Sequence, residues 1–183
     1  MLTLIIIIAA ALAVPIVGIG WVIATSNRFK TLLVKITEAD SGIDVALTKR
    51  YDTLTKLIDV VKAYARHESE LLSVTIKLRS GMDVTEKAEV NRQMDATTEK
   101  IKILAEAYPE LRSSENYRQL QVAIIDAEDH LQAARRVYNM NVSAFNQSIV
   151  MFPASIIANR MRYGVKPFFA AEEVKRADVK IDL

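Results

Sequence analysis

Residues 2–24 read LTLIIIIAAALAVPIVGIGWVIA, an apolar run without a single charged side chain. As a helix this run extends about 35 Å, at about 1.5 Å per residue, which is enough to cross a bilayer core of about 30 Å. A single segment in lipid must satisfy its own backbone hydrogen bonds, and a helix does so. The run therefore predicts a transmembrane anchor over residues 1–26, which tethers the rest of the chain.

The same run could instead be a cleaved signal peptide, because Ala11-Leu12-Ala13 has the small-x-small pattern of a cleavage site. No Lys or Arg precedes it, however, and apolar sequence continues well beyond it, which favours an anchor. Arg28, Lys30 and Lys35 follow the run closely, and basic residues mark the cytoplasmic flank of a membrane helix. We therefore expect a single-pass protein with its N-terminus outside and its polar domain in the cytoplasm.

The charged residues are balanced and interleaved, with 24 basic and 22 acidic residues and a formal net charge of +2. No basic block resembles a nucleic-acid footprint, so nucleic acid is not an expected partner. The chain has no cysteine, which excludes disulfides, thiolate nucleophiles and thiolate-bound metals. Glycine (5) and proline (4) are scarce while periodic apolar residues abound, a composition typical of long helices. The predicted fold class is all-α.

Apolar residues recur every seven positions beyond the anchor, which indicates helix. One set is Phe29, Ile36, Ile43, Leu57, Tyr64, Leu71 and Leu78, and a second is Leu33, Leu47, Leu54 and Val61. On periodicity alone, one rod would continue from the anchor to Arg79. Asp52 ahead of Thr53 is a competent N-cap, however, so the chain could also reverse there and begin a new helix.

Gly81 suits the left-handed end of a helix, and Asp83 with Glu86 has the pattern of a capping box. These signals predict a second helix from about Val84 to Tyr108, which Pro109 stops.

A last long helix follows, capped by Ser113 or Ser114 and ended by Pro153. Its apolar set is Tyr117, Ile124, Leu131, Tyr138, Phe145 and Phe152. A short helix over residues 154–161 is expected next. The sequence therefore predicts a helical bundle domain over residues 27–161 and a C-terminal tail over residues 162–183.

Several short motifs and single residues along the chain resemble the signature of the bacterial LemA family. They are Ile43-Asp44, Arg50, Asp52, His67-Glu68, Glu106-Ala107-Tyr108-Pro109, Asn116-Tyr117, Leu120-Gln121, Glu128, Ala134-Arg135, Tyr138-Asn139, Asn146 and Phe152-Pro153. The resemblance covers essentially the whole chain. It implies a single-pass membrane protein of the bacterial inner membrane, with a transmembrane helix followed by an antiparallel four-helix bundle. It implies no enzymatic reaction and no ligand.

Two positions depart from the family pattern. Ser41-Gly42 stands where the family usually has a tryptophan, and Thr55 stands where it usually has a proline. A proline three residues after Asp52 would suit the first turn of a new helix, so the family pattern favours a reversal at Asp52. The loss of that proline weakens this expectation for the present chain.

Motifs for catalysis or metal binding are incomplete in the sequence. His67-Glu68 begins like a zinc-binding His-Glu-x-x-His helix, but Leu71 takes the place of the second histidine and His130 is the one other histidine. The sequence has no nucleophile elbow, P-loop or Gly-x-Gly-x-x-Gly. We therefore predict no catalytic residues, no cofactor, no metal and no enzymatic activity.

Polar residues at apolar heptad positions are more informative: Asp40, Arg50, Glu68, Thr75, Gln121, Glu128 and Arg135. Buried charges need partners, so we expect an internal network in which Arg50 or Arg135 meets Glu68 or Glu128 and fixes helix register. The alternative is a polar pocket for a ligand or a proton.

The C-terminal tail follows no helix-packing pattern. Val179, Ile181 and Leu183 alternate with polar residues, as in a strand that adds to a sheet edge, or they could enter a carboxylate-binding groove. We therefore expect this tail to bind a partner. The alternative is a tail that folds back on the bundle or has no fixed structure.

These features favour a non-enzymatic, membrane-anchored scaffold or adaptor that binds or organises other proteins at the bilayer. One alternative is an accessory regulator of a membrane protease or envelope-stress system. Another is a self-assembling, membrane-organising homo-oligomer, since Gly20 and Ala24 have the small-xxx-small spacing of close helix pairs.

Overall fold

A computed structural model describes residues 1–65 and 76–169, apart from the side chains of residues 5–10 and 12. Five helices follow one another along these residues: α1 (Leu2–Tyr64), α2 (Val84–Ala107), α3 (Pro109–Ser113), α4 (Glu115–Val150) and α5 (Ala154–Arg160). The described residues contain no strand. The all-α class is therefore confirmed, while the antiparallel four-helix bundle stays a prediction.

The first helix does not reverse at Asp52, so that expectation is wrong. The hydroxyls of Thr53 and Thr55 donate to the carbonyls of Lys49 and Tyr51, four residues earlier, as in a helix interior. The apolar stripe through Leu47, Leu54 and Leu57 also stays fully buried across this point. One uninterrupted stripe outweighs a local capping signal, since helix stability derives mainly from the buried face.

The alternative of a rod to Arg79 is also wrong, because α1 ends at Tyr64. Residues 76–79 are not helical. Tyr64 is exposed at this end of α1, although its heptad position predicts burial.

Pro15 lies inside α1. Over the residues with described side chains, no helix has a stretch that is both long and apolar enough to cross a bilayer. The predicted span of residues 2–24 includes residues 5–10 and 12, whose side chains lie outside that description.

The chain divides into two compact units. The first comprises Met1–Glu38 and Met140–Pro167, and its core contains an aromatic cluster. The ring of Tyr163 packs edge-on against Phe29 and Phe145, with centroids 5.7 and 5.8 Å apart. Ile36, Val142, Ile149, Ile157 and Ala158 are also buried in this part of the chain.

The second unit comprises residues 39–139 and 168–183, of which the structure describes 39–65, 76–139 and 168–169. Its core is a continuous apolar cluster that α1, α2, α3 and α4 all supply. The most deeply buried members are Leu54, Leu57, Val61, Met94, Ile101 and Leu111. The predicted domain boundaries at residues 26 and 161 stay a prediction.

The predicted left-handed conformation of Gly81 and the predicted capping box of Asp83 and Glu86 are both confirmed. Gly81 has φ of +78°, a conformation that side chains with a Cβ rarely adopt. The Asp83 carboxylate accepts hydrogen bonds from the N–H groups of Thr85 and Glu86, both at 2.8 Å. The Glu86 carboxylate in turn accepts from the Asp83 N–H at 3.0 Å, which completes the capping box at the start of α2.

Both predicted proline stops are also confirmed, since α2 ends before Pro109 and α4 ends before Pro153. Pro109 itself opens the short α3, which the sequence pattern did not predict. Phe152 was expected in the buried heptad set, but it is 82% exposed. The reason is that α4 ends at Val150, so the heptad phase no longer fixes the direction of Phe152.

Candidate functional site

A charged cluster lies in the second unit around Arg50 of α1, which is 3% exposed. Its guanidinium donates hydrogen bonds to Asn91 and Asp95, both on α2. On the other side, its Nη1 lies 2.9 Å from Oε2 of Glu128 on α4. Arg50 therefore ties α1 to both neighbouring helices.

The contact between Arg50 and Glu128 is an ion pair without hydrogen-bond geometry. Arg50 Nε and Glu128 Oε2 are consequently buried polar atoms that have no hydrogen-bond partner among the described residues. Buried polar groups are nearly always hydrogen-bonded, so these two atoms are exceptions, and the ion pair between their side chains compensates their charges. Asp95 and Glu128 are about one third and one quarter exposed, so the open side of the cluster carries the carboxylates.

A second buried cation, Lys87 of α2, lies in the same unit and is 1% exposed. Its Nζ is 2.7 Å from Asp40 and 2.8 Å from Asp44, both on α1. Burial lowers the pKa of Lys87, but the hydrogen bonds and negative charges of the two aspartates together raise it by more. The net pKa is therefore above its ordinary value, and Lys87 is charged at neutral pH.

Tyr138 is close enough to this pair for both charges to act on it. Burial raises the pKa of its phenol, Asp40 raises it further, and Lys87 lowers it. The phenol is therefore neutral at neutral pH and is not poised as a base.

A groove of about 1160 Å³ lies beside the Arg50 cluster. Side chains of α2 and α4 form most of its lining, and Phe168 and Phe169 close one end. Apolar side chains alternate with both signs of charge in the lining: Asp95, Glu99, Lys102, Ile124, Ile125, Glu128, Asp129, Arg135 and Arg136.

The end of this groove is held by a clasp of two hydrogen bonds. The Asn139 amide donates to the Phe169 carbonyl at 3.1 Å and accepts from the Phe169 N–H at 2.8 Å. The Arg135 guanidinium lies over the Phe169 ring, 4.6 Å from its centroid. These contacts leave Phe169 only 2% exposed.

The first unit contains the same clasp at Asn146. Its amide donates to the Lys166 carbonyl at 2.9 Å and accepts from the Lys166 N–H at 2.8 Å. An asparagine amide can donate and accept at once, as a backbone peptide group does, so each residue fixes an irregular segment. Sequence analysis did not predict either clasp, although both asparagines belong to the motif set and are seven residues apart on α4.

The structure brings together Arg50 and Glu128 of the four residues predicted for the internal network. Arg135 lies over the Phe169 ring, and Glu68 lies outside the described residues. The tail residues Val179, Ile181 and Leu183 also lie outside them.

Sequence analysis missed Asp95, Asn91 and Lys87. Asn91 and Lys87 lie on the buried face of α2, which also carries Val84 and Met94. The sequence signal that could have identified them is a polar residue at an apolar position of that helix. Within the described parts of the chain, no three His, Cys, Asp or Glu side chains are grouped as metal ligands would be.

Comparison with known proteins gives two matches. The model of the LemA family matches residues 39–183. A protein of Metamycoplasma hominis named Protein LemA is 31% identical over 150 residues, which cover 79% of this chain and 68% of the relative. The family match includes the Arg50 and Lys87 clusters, the groove and the Asn139 clasp.

Proposed function

This chain belongs to the LemA family, and on that premise we propose that it is a non-enzymatic, membrane-anchored scaffold that binds other proteins through the groove of its second unit. The groove is the observation that carries the proposal. Its volume of about 1160 Å³ exceeds the range of about 300–1,000 Å³ that is usual for small-molecule sites. An open groove of this size suits a segment of polypeptide.

The lining supports a polypeptide ligand in its chemistry as well as its size. Ile124 and Ile125 offer apolar contact, while Lys102 and Arg136 on one hand and Glu99 and Asp129 on the other offer both signs of charge. A mixed lining of this kind complements a peptide that alternates apolar and charged residues.

The charged side chains favour binding over catalysis. Asp40 and Asp44 hold the pKa of Lys87 above its ordinary value, so Lys87 is charged and is not a general base at neutral pH. The ion pairs of Arg50 compensate its charge within the fold and hold Asp95 and Glu128 in the groove lining.

The membrane anchor is the second part of the proposal. Residues 2–24 are free of charge, and Arg28, Lys30 and Lys35 follow them. We propose that this run crosses the bacterial inner membrane with the N-terminus outside, which puts the groove on the cytoplasmic face.

The test of the groove is site-specific photo-crosslinking in intact cells. Ile125 and Val122 are both exposed aliphatic residues of α4, but Ile125 lines the groove and Val122 does not. A photo-reactive residue at position 125 should give defined adducts with other proteins that position 122 does not give. Equal adduct patterns at the two positions would refute the groove as the binding surface. Adducts of the chain with itself alone would favour the self-assembling, membrane-organising alternative.

The test of the anchor is extraction of membranes at high pH, which releases peripheral proteins. The full-length chain should stay in the membrane pellet, and a variant that lacks residues 2–24 should be released. Release of the full-length chain would refute the anchor.

A further inference from the structure

We propose that the corner between α4 and α5 (residues 150–156) is a second membrane contact, which lies in the headgroup layer of an anionic phospholipid bilayer. Its apolar side chains enter the edge of the acyl-chain region, and basic residues of the same unit bind lipid phosphates. The location of this contact rests on the anchor part of the proposed function, but neither the anchor nor the groove accounts for the features of the corner.

The corner exposes several large apolar side chains that are close together in sequence. Four of them are between 60% and 82% exposed: Val150, Met151, Phe152 and Ile156. A cluster of exposed apolar side chains is typical of a surface that contacts a protein or a membrane. The corner therefore has the apolar part of an interaction surface.

The corner lies beside the end of the charge-free run of α1. Trp21 and Arg28 of α1 line a cavity of about 360 Å³ together with Phe152. Farther along α1, the Lys35 carbonyl accepts a hydrogen bond from the Asn141 amide at 3.1 Å, so α4 is antiparallel to α1 within the first unit. The corner is therefore level with the part of α1 where apolar sequence gives way to basic residues.

The first unit carries most of the positive charge of the chain. Residues 1–38 and 140–167 contain six basic side chains and a single acidic one, Glu38, which gives a formal net charge of +5. The whole chain has a net charge of only +2, so its remaining residues are acidic overall. The six basic residues are all exposed, and none forms an ion pair with another described residue: Arg28, Lys30, Lys35, Arg160, Arg162 and Lys166.

Some of these basic residues lie at the level of the corner. The Tyr163 ring packs on Phe29, so Arg162, its neighbour in sequence, returns to the part of α1 that carries Arg28 and Lys30. Apolar side chains flanked by basic ones are the pattern of a protein segment that lies in the interface of an anionic membrane.

The charge of the first unit also favours a bilayer over a second copy of the chain. Two units that each carry a net charge of +5 would repel one another if their corners met. An anionic lipid surface instead complements the exposed basic residues while its acyl chains accept the apolar ones. We therefore assign the lipid headgroup layer as the partner of the corner.

Tryptophan quenching by brominated lipids tests the contact in the full-length chain. Trp21 is the only tryptophan, so the wild type reports on the anchor, and Trp21→Phe with Phe152→Trp reports on the corner. Trp21→Phe with Val34→Trp is the matched control, because Val34 is also an exposed apolar residue of the first unit but lies well beyond the run. In vesicles of brominated phosphatidylcholine and phosphatidylglycerol, fluorescence should fall by at least half at position 152 and hardly change at position 34.

The lipid composition tests the role of the basic residues. In vesicles of brominated phosphatidylcholine alone, quenching at position 152 should be at least twofold weaker, whereas quenching of Trp21 in the wild type should not change. Arg28→Gln with Arg160→Gln, added to the position-152 reporter, should weaken quenching in the anionic vesicles to the same degree. Circular dichroism verifies the helix content of each variant, and Met151→Trp provides a second reporter should Phe152→Trp not fold.

Quenching of Trp21 without quenching at position 152 would leave the anchor intact and overturn this proposal. No quenching at either position would refute the anchor and the proposal together. Equal quenching at positions 34 and 152, or quenching at position 152 that does not depend on phosphatidylglycerol, would also overturn it. A blue-shifted but unquenched emission at position 152 would show that protein, and not lipid, covers the corner. The assay contains no other protein, so none of these results bears on the groove.

Discussion

Arg50 and Glu128 form an ion pair in which one partner is almost completely dry and the other is at the edge of an open groove. The distance between Nη1 and Oε2 is 2.9 Å, and the guanidinium is also shared with Asp95. Because the buried guanidinium cannot be solvated by water, its charge must be compensated by carboxylates of the neighbouring helices. Arg50 thereby sets the register of α2 and α4 against α1 and fixes one wall of the groove.

Removing the Arg50 charge should destabilise the second unit strongly. Arg50→Met keeps much of the buried volume but leaves Asp95 and Glu128 without their cation, which should cost about 3 kcal/mol of unfolding free energy. Urea unfolding followed by circular dichroism at 222 nm measures this cost.

The adjacent Lys49 provides the control. It pairs with Asp126 at 2.6 Å, but both side chains are about half exposed, so Lys49→Met should leave the urea midpoint almost unchanged. An equal loss of stability in both variants would contradict a special role for the buried guanidinium.

Lys87 should tolerate an apolar replacement better than Arg50, because both partners of Lys87 are at the surface, whereas Glu128 keeps a buried carboxylate oxygen beside Arg50. Asp40 and Asp44 keep 38% and 50% of their side-chain surface exposed, whereas Lys87 is buried. Lys87→Met fills the same space and should change the unfolding free energy by less than about 1 kcal/mol. Lys87→Ala leaves a cavity and should cost about 2–4 kcal/mol. Both variants lose the charge and alanine also leaves a cavity, so a larger loss for methionine than for alanine would contradict this prediction.

The raised pKa of Lys87 predicts a loss of stability at alkaline pH. A group whose pKa is higher in the folded state stabilises that state fully below its unfolded pKa, here about 10.5, and stops doing so as pH rises through the folded value. Burial also raises the pKa of Tyr117, which acts in the same direction.

The unfolding free energy of the wild type should therefore fall above about pH 10.5. Urea midpoints measured between pH 8 and pH 11.5 test this, and Lys87→Met should show a shallower fall. Parallel curves for the two proteins would show that Lys87 does not contribute.

Part of this architecture could be predicted from sequence because its causes are local. The Asp83 capping box, the Gly81 turn and the Pro109 and Pro153 stops each depend on a few adjacent residues, and all were confirmed. Arg50 and Glu128 stood out because charge at an apolar heptad position demands a partner.

The remaining features depend on contacts between distant residues. The course of α1 through Asp52 follows from a stripe that is buried by other helices, which overrides a valid cap signal. Asp95, Asn91 and Lys87 find their partners only once α1 and α2 are placed together. The clasps at Asn139 and Asn146 hold irregular segments, for which no sequence periodicity exists.

The helix start at Asp83 allows a test that is independent of the groove. Asp83→Ala removes the acceptor for the N–H groups of Thr85 and Glu86 and should cost about 1 kcal/mol of unfolding free energy. Asp83→Asn retains an oxygen acceptor and should cost only a few tenths of that value. A loss of equal size in both variants would mean that the charge of Asp83, and not its capping oxygen, is what stabilises α2.

The Asn139 clasp should contribute more to stability than the other asparagine contacts of α4. Asn139→Ala removes two hydrogen bonds from a partly buried segment and leaves the N–H and carbonyl of Phe169 without partners, which should cost about 2 kcal/mol. Asn146→Ala removes two bonds of similar length from the exposed Lys166, whose backbone can bind water instead, and should cost about 1 kcal/mol. Asn141→Ala removes a single bond to the Lys35 carbonyl and should cost the least.

Thermal unfolding of the three variants provides the ranking. A reversed order would contradict the prediction, because the buried Asn139 clasp would then stabilise the fold less than the exposed contacts do.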